Sequence, residues 1–179
     1  MDIASRRFNF YLLAGLGALL LCGCQSAKSK KVETTLRIHA EATDDTSFTR
    51  KIKVYQDESL TMKVHELPFI TETDIVEAQV VEALGGFALQ LKFNPRTRWV
   101  LDHHTSMNIG RHFAIFVQFG AKPSVARWIA APIISGRNSD GMMIFTPDAT
   151  REEAEQIVQG LPKKESKLAT ETDWNPAGK

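Results

Sequence analysis

The stretch FALQLKFNPRTRWVLDHHTSMNIGRHFAIFVQF, at 87–119, places a helical segment between two apolar strands, and this arrangement predicts the fold class. Phe87–Phe93 alternates large apolar residues with smaller or polar ones, as a half-buried strand does. Asn94 and Pro95 are typical of a helix start, since asparagine caps the first turn and proline fits its opening position. His112–Phe119 is the most apolar strand, which predicts a central place in a sheet.

The same local signals predict the elements on either side of this stretch. The first helix is expected from Pro95 to about Met107, with Gly110 suited to the left-handed conformation of a helix end. A second helix is expected from about Thr150, because Thr150 and Glu153 form a capping-box pattern. A short helix is predicted at 72–78 and a strand at 79–84. One or two short strands are predicted over 125–129 and 133–134, on either side of Pro132, and another at 142–145.

The order from residue 79 onward is therefore β-β-α-β-β-β-α, which predicts an α+β domain with an antiparallel sheet and two helices on one face. Three alternating segments precede it, at Thr34–Ala42, Arg50–Tyr55 and Leu60–Val64. Their period-two pattern predicts a small antiparallel β unit ahead of the main domain.

The amino-terminal residues read as a lipoprotein signal peptide. Arg6 and Arg7 precede an apolar run, Phe8–Leu21, which is shorter than the roughly 20 residues of a membrane-spanning helix. The closing Leu21-Cys22-Gly23-Cys24 looks like a bacterial lipobox, with cleavage after Gly23 and acyl chains on Cys24. An ordinary signal peptide cut elsewhere, or an uncleaved short anchor, remains the alternative.

Composition narrows the functional classes. The formal net charge is +1, which disfavours nonspecific nucleic-acid binding. Both cysteines, Cys22 and Cys24, lie in the predicted leader, so the body offers no disulfide, thiol nucleophile or cysteine metal site. Gln25 follows the acceptor cysteine where an aspartate would favour the inner membrane, which predicts an outer-membrane anchor facing the periplasm.

Six short motifs follow one another over about Leu67–Leu161: PFITETDI (68–75), FALQLKF (87–93), TSMNIGRHFAIFV (105–117), APIISG (131–136), FT (145–146) and EEA (152–154). Their order and spacing make this part of the chain resemble the head subdomain of the first periplasmic domain of SecD, a subunit of the bacterial SecDF export machinery.

The resemblance implies a ferredoxin-like fold without enzyme chemistry, in a domain that engages extended polypeptides outside the inner membrane. SecD continues into several transmembrane helices, whereas this sequence continues after Pro162 with polar residues. The segment Val125-Ala126-Arg127 also lacks a proline that the family carries at this place. We therefore expect the fold and a weak affinity for extended peptides to carry over, but not the proton-driven translocase activity.

Two sets of side chains are candidate sites. Phe113, Phe116 and Trp128 are the candidates for binding a peptide or partner, through an exposed groove or sheet edge, although core packing is the competing interpretation. His103 and His112 are weak candidates for metal ligation, with a partly packed surface histidine as the competing interpretation. No catalytic residue and no cofactor other than the lipid on Cys24 is predicted.

The sequence thus predicts a noncatalytic, membrane-anchored envelope lipoprotein whose SecD-head-like domain binds or scaffolds, in association with export or envelope-assembly proteins. A periplasmic ligand- or metal-binding lipoprotein is the alternative. The predicted organisation is a signal peptide, a lipidated tether, a small β-rich unit, a SecD-head-like domain and a disordered tail, at 1–23, 24–33, 34–66, 67–162 and 163–179.

Overall fold

The computed structural model describes residues 33–43, 48–56 and 60–162. The predicted signal peptide, Cys24 with nearly all of the tether, and the predicted tail lie outside these residues. The described strands are β1 to β9, at Thr35–Ala40, Thr49–Val54, Leu60–His65, Ile70–Thr71, Ile75–Ala83, Gly86–Phe93, Phe113–Phe119, Val125–Ala130 and Met142–Phe145. The helices are α1, Pro95–Met107, and α2, Arg151–Gly160.

The described strands form three antiparallel sheets. The largest has four strands in the order β4-β1-β7-β8, and a three-stranded sheet has the order β5-β6-β9. The β2–β3 hairpin makes the third sheet. The predicted α+β class is confirmed, and so is the order of elements from β5 to α2.

The main core lies between the sheets and the two helices. Alternate residues of β1 and β7, such as Ile38 and Ile115, are fully buried there. Leu89 comes from β6, Leu101 from α1 and Ile157 from α2, each with no exposed surface. Burying a side chain of this kind contributes roughly 1.5–3 kcal/mol, so these five positions anchor strands and helices to one another.

Both helices begin where the sequence predicts. The Asn94 side chain accepts a hydrogen bond from the Thr97 backbone N–H at 2.9 Å. Thr150 and Glu153 form the reciprocal capping box of α2. Asn108 ends α1, and Gly110 follows at φ +81°, a conformation that residues with a Cβ rarely adopt.

The predicted helix over 72–78 is wrong. Only Glu72–Asp74 forms a short 3-10 turn, and β5 begins at Ile75. The β-branched residues of this segment outweigh its helix-favouring Glu and Ala, because β5 gains a long antiparallel partner in β6, with Val80 opposite Leu89. The helix propensity of this segment is therefore overridden by its pairing with β6, which the local sequence alone does not predict.

The pairing predicted for the first three strands also differs. β2 and β3 pair with each other, but β1 lies inside the four-stranded sheet, with Ile38 opposite Ile115 of β7. The apolar face of β1 explains this placement, since Leu36 and Ile38 have no exposed surface. A two-stranded hairpin could not have buried that face, whereas the central sheet does.

Candidate functional site

A groove of about 170 Å³ lies beside the carboxyl end of α1 and is the strongest candidate site. One wall is the segment at 132–136, which follows β8, and the other wall is β9; core residues lie below them. The lining residues are Thr105, Phe113, Pro132, Ile133, Ile134, Ser135, Gly136, Asn138, Met143 and Ile144. None of these described lining residues carries a side chain that ionises near neutral pH.

Backbone hydrogen bonds hold the first wall in an extended conformation. The Phe113 N–H donates to the Pro132 carbonyl at 3.1 Å, and the Gly110 N–H donates to the Ile134 carbonyl at 2.8 Å. Because neighbouring residues of an extended chain point to opposite sides, Ile134 is buried whereas Ile133 is 63% exposed. The wall therefore presents one large apolar side chain to solvent.

The same alternation operates in β9. Met143 and Phe145 are buried in the main core, and Ile144 between them is 58% exposed. Within the described ranges β9 pairs with β6, through Leu91 opposite Met143 among others. The second wall thus also combines an extended backbone with an exposed isoleucine.

The polar loop at 135–141 lines the groove and is held in place by hydrogen bonds to α1 and β9. The buried Thr105 hydroxyl donates to the Leu101 carbonyl at 2.8 Å and accepts from the Asn138 N–H at 2.9 Å. The Asn138 amide donates to the Met142 carbonyl at 2.6 Å. These bonds connect α1, the loop and β9, so the groove is formed by several elements that are already joined.

An ion pair holds the same loop against α1. The Arg137 guanidinium donates to both carboxylate oxygens of Asp102, at 2.5 and 2.7 Å. These hydrogen bonds lower the pKa of Asp102 below its ordinary value. A bidentate arginine pair of this kind fixes geometry more firmly than a single contact does.

The predicted aromatic candidates do not form one site. Phe113 is buried in the main core, where it underlies the groove. Phe116 and Trp128 are half-buried on the opposite face of the sheet, with ring centroids 5.3 Å apart. The Arg50 guanidinium lies 5.5 Å above the Trp128 ring, so the β2–β3 hairpin covers part of this pair.

The weak metal candidates have different surroundings. The His112 ring contacts the Glu41 carboxylate at 2.9 Å, and the His112 backbone N–H donates to the same oxygen at 2.7 Å. His103 is exposed on α1, edge-on to His104 at 5.8 Å. Across the described residues, no three His, Cys, Asp or Glu side chains come together as metal ligands.

Sequence reasoning did not single out Ile133 and Ile144 as site residues. The alternation in MMIF at 142–145 predicts a strand. Ile144 lines a groove only because the segment that contains Ile133 lies opposite it. A strand pattern predicts which residues share a face, but not what lies opposite that face. Among the residues that the structure covers, no helix has the length and apolar character to cross a bilayer.

Comparison with known proteins gives a structural similarity. No protein-family profile matches this chain, and no curated protein matches it. A solved structure of SecDF, described as a membrane component that enhances protein export, matches with a TM-score of 0.51 and 17% identity. The match covers 73% of this chain and 63% of that one, so this chain spans less than two thirds of it.

Two further SecDF structures match less closely. A super-membrane-facing form gives a TM-score of 0.44 and 15% identity, covering 87% of this chain and 33% of that one. SecDF from Thermus thermophilus, described as a translocon-associated membrane protein, matches with a TM-score of 0.38 and 16% identity. That match covers 85% of this chain and 33% of the SecDF chain. The SecD-like fold that the sequence predicts is confirmed by the first of the three similarities.

Proposed function

We propose that this protein is a noncatalytic, lipid-anchored envelope protein whose SecD-like domain binds extended apolar segments of other polypeptides, in association with protein export. The observation that carries the proposal is the pair of exposed isoleucines, Ile133 and Ile144, on the two extended walls of one groove. The proposed association with protein export rests on the fold, because the SecDF structure that this chain resembles is of a component that enhances protein export.

The shape of the groove favours an extended peptide over a compact small molecule. Small-molecule pockets usually have volumes of about 300–1,000 Å³, and this groove has about 170 Å³. An extended peptide could place alternate apolar side chains against Ile133 and Ile144 while its backbone runs beside β9. Such recognition depends on shape and backbone pairing, which suits a partner of variable sequence.

The chemistry of the groove supports a noncatalytic role. Its polar side chains are Thr105, Ser135 and Asn138, and Thr105 is already engaged on both sides by hydrogen bonds. A general acid or base needs a group that ionises near the working pH, and the described lining offers none. Binding is therefore the activity that these side chains support.

The anchor in this proposal is the lipid on Cys24, with cleavage after Gly23. Two or more acyl chains give stable membrane attachment where one chain binds reversibly. The absence of an aspartate at Gln25 supports an outer-membrane location, with the domain facing the periplasm.

Peptide binding by the full chain in detergent micelles tests the proposal. The probe is a short fluorescein-labelled peptide that alternates valine and threonine, and fluorescence anisotropy reports binding. Ile133→Asp and Ile144→Asp should each weaken binding by more than about tenfold, as loss of a buried apolar anchor does.

Leu84→Asp is the matched control, because Leu84 is also an exposed large apolar residue but lies on the β5–β6 turn. It should leave the affinity unchanged. Equal binding by all three variants and the unaltered chain, or no binding by any, would refute the groove as the peptide site.

A further inference from the structure

Helix α1 carries three unusual exposed side chains in one stripe. Trp99, His103 and Met107 follow each other at intervals of four residues, so they lie on neighbouring turns of the same side. Trp99 is 74% exposed and Met107 is 69% exposed, and His103 is exposed as well. The inward side of the helix is made by other residues, Leu101 and Thr105 among them, so core packing does not account for the stripe.

The donor atoms of this stripe suit a soft metal ion. His103 offers an imidazole nitrogen and Met107 a thioether sulfur, with Cβ atoms expected about 5–6 Å apart across one turn. Thioether sulfur selects Cu⁺ over hard ions, and imidazole is an accepted second ligand for copper. Trp99, one turn earlier, adds an aromatic face that attracts a cation.

The two titratable residues that flank His103 in sequence, Asp102 and His104, each contact other side chains. The Asp102 carboxylate is occupied by Arg137 at 2.5 and 2.7 Å. The His104 ring is half-buried and stacks on Phe69, with ring centroids 4.1 Å apart. Zn²⁺ prefers four nitrogen, oxygen or thiolate ligands, which this stripe does not supply.

We propose that Trp99, His103 and Met107 form a binding site for a soft monovalent ion, Cu⁺ or its redox-inert analogue Ag⁺. His103 and Met107 ligate the ion, and Trp99 covers it through a cation–π contact. The site is independent of the peptide groove, since it uses none of the groove-lining residues.

Titration of the full chain with Ag⁺ in chloride-free detergent buffer tests this site. Cys22→Ser and Cys24→Ser are introduced in every sample, because thiolates would otherwise bind silver first. Methionine methyl NMR should show Met107 shifting on silver addition, together with quenching of Trp99 fluorescence. His103→Ala or Met107→Leu should weaken binding by more than about tenfold, since loss of even an outer-shell partner costs about 10–100-fold.

Two further variants distinguish this site from general surface binding. Met142→Leu removes another exposed methionine, on β9, and should leave silver affinity unchanged. Trp99→Phe should weaken binding by about two- to fivefold, as an exposed cation–π contact predicts. The proposal is overturned if silver does not bind, if His103→Ala and Met107→Leu bind as well as the parent chain, or if Met142→Leu is equally damaging.

Discussion

At the scale of single residues, His39 is buried on the face of the four-stranded sheet that also carries Trp128. Its ring is edge-on to Trp128 at 5.1 Å, and its Nδ1 donates to the His65 carbonyl at 2.8 Å. Burial lowers the pKa of His39, the nearby positive charges of Arg50 and Arg37 lower it further, and the hydrogen bond to His65 opposes them. The folded state therefore favours the neutral form of His39.

This predicts a stability loss in mild acid. Because the pKa of His39 is lower in the folded state, the unfolded chain binds its proton first as the pH falls below the ordinary value of 6.5. The free energy of unfolding should thus decrease from neutral pH toward the lowered pKa of His39. Urea denaturation of the full chain at several pH values measures it.

His39→Asn should flatten this pH dependence, since an amide can still donate to the His65 carbonyl but does not titrate. His104 contributes in the same direction through its lowered pKa, so the flattening should be partial. His103→Asn is the control at an exposed position. A pH dependence that His39→Asn leaves unchanged would show that His39 does not titrate as its burial requires.

At the scale of elements, β1 joins the first part of the chain to the main core. Its register runs from Thr35 opposite Gln118 to Ala40 opposite Phe113, and the next residue, Glu41, bridges to Val64 of β3. One strand therefore connects the central sheet with the β2–β3 hairpin. Changes in β1 should affect the stability of the whole domain.

Ile38→Ala tests this placement. Ile38 has no exposed surface, and replacing such a side chain by alanine typically costs about 2–5 kcal/mol. Arg37→Ala, at the exposed neighbouring position, should change stability by less than about 0.5 kcal/mol. Chemical denaturation compares them, and similar small losses in both variants would contradict a core position for β1.

The sequence predicts elements well where the signal is local. Asn94 with Pro95 and Thr150 with Glu153 mark the two helix starts within a few residues, and the structure has both helices there. Strand pairing is non-local, so the sequence did not predict that β1 pairs in the central sheet or that β5 already begins at Ile75, within the segment predicted as a helix. The sequence did not predict Ile133 and Ile144 as site residues for the same reason, because the two residues lie in separate segments and only the fold brings them to one groove.

At the scale of the whole molecule, the proposed anchor determines where the domain acts. Cys24→Ser removes the acceptor for acyl chains and should move the protein from the membrane fraction to the soluble periplasmic fraction. Cys22→Ser, two residues earlier, is the matched control and should stay in the membrane fraction. Fractionation followed by immunoblotting measures both, and a Cys24→Ser variant that remains membrane-bound would contradict lipidation at this cysteine.

The domain as a whole combines a SecD-like fold with a groove that presents two isoleucines to solvent. Large exposed apolar side chains are ordinary when they are scattered, but a pair facing one groove favours a binding surface. The fold supplies the rigid walls, since β9 and the 132–134 segment are each hydrogen-bonded to a neighbouring strand.

The most direct measurement is site-specific photo-crosslinking in living cells, with a photoreactive amino acid at position 133 of the full chain. The target is a defined secretory protein stalled during export and carrying an affinity tag. We expect an adduct between the stalled chain and position 133, and no adduct from position 84. Adducts from both positions in equal yield, or from neither, would contradict a specific groove for extended polypeptides.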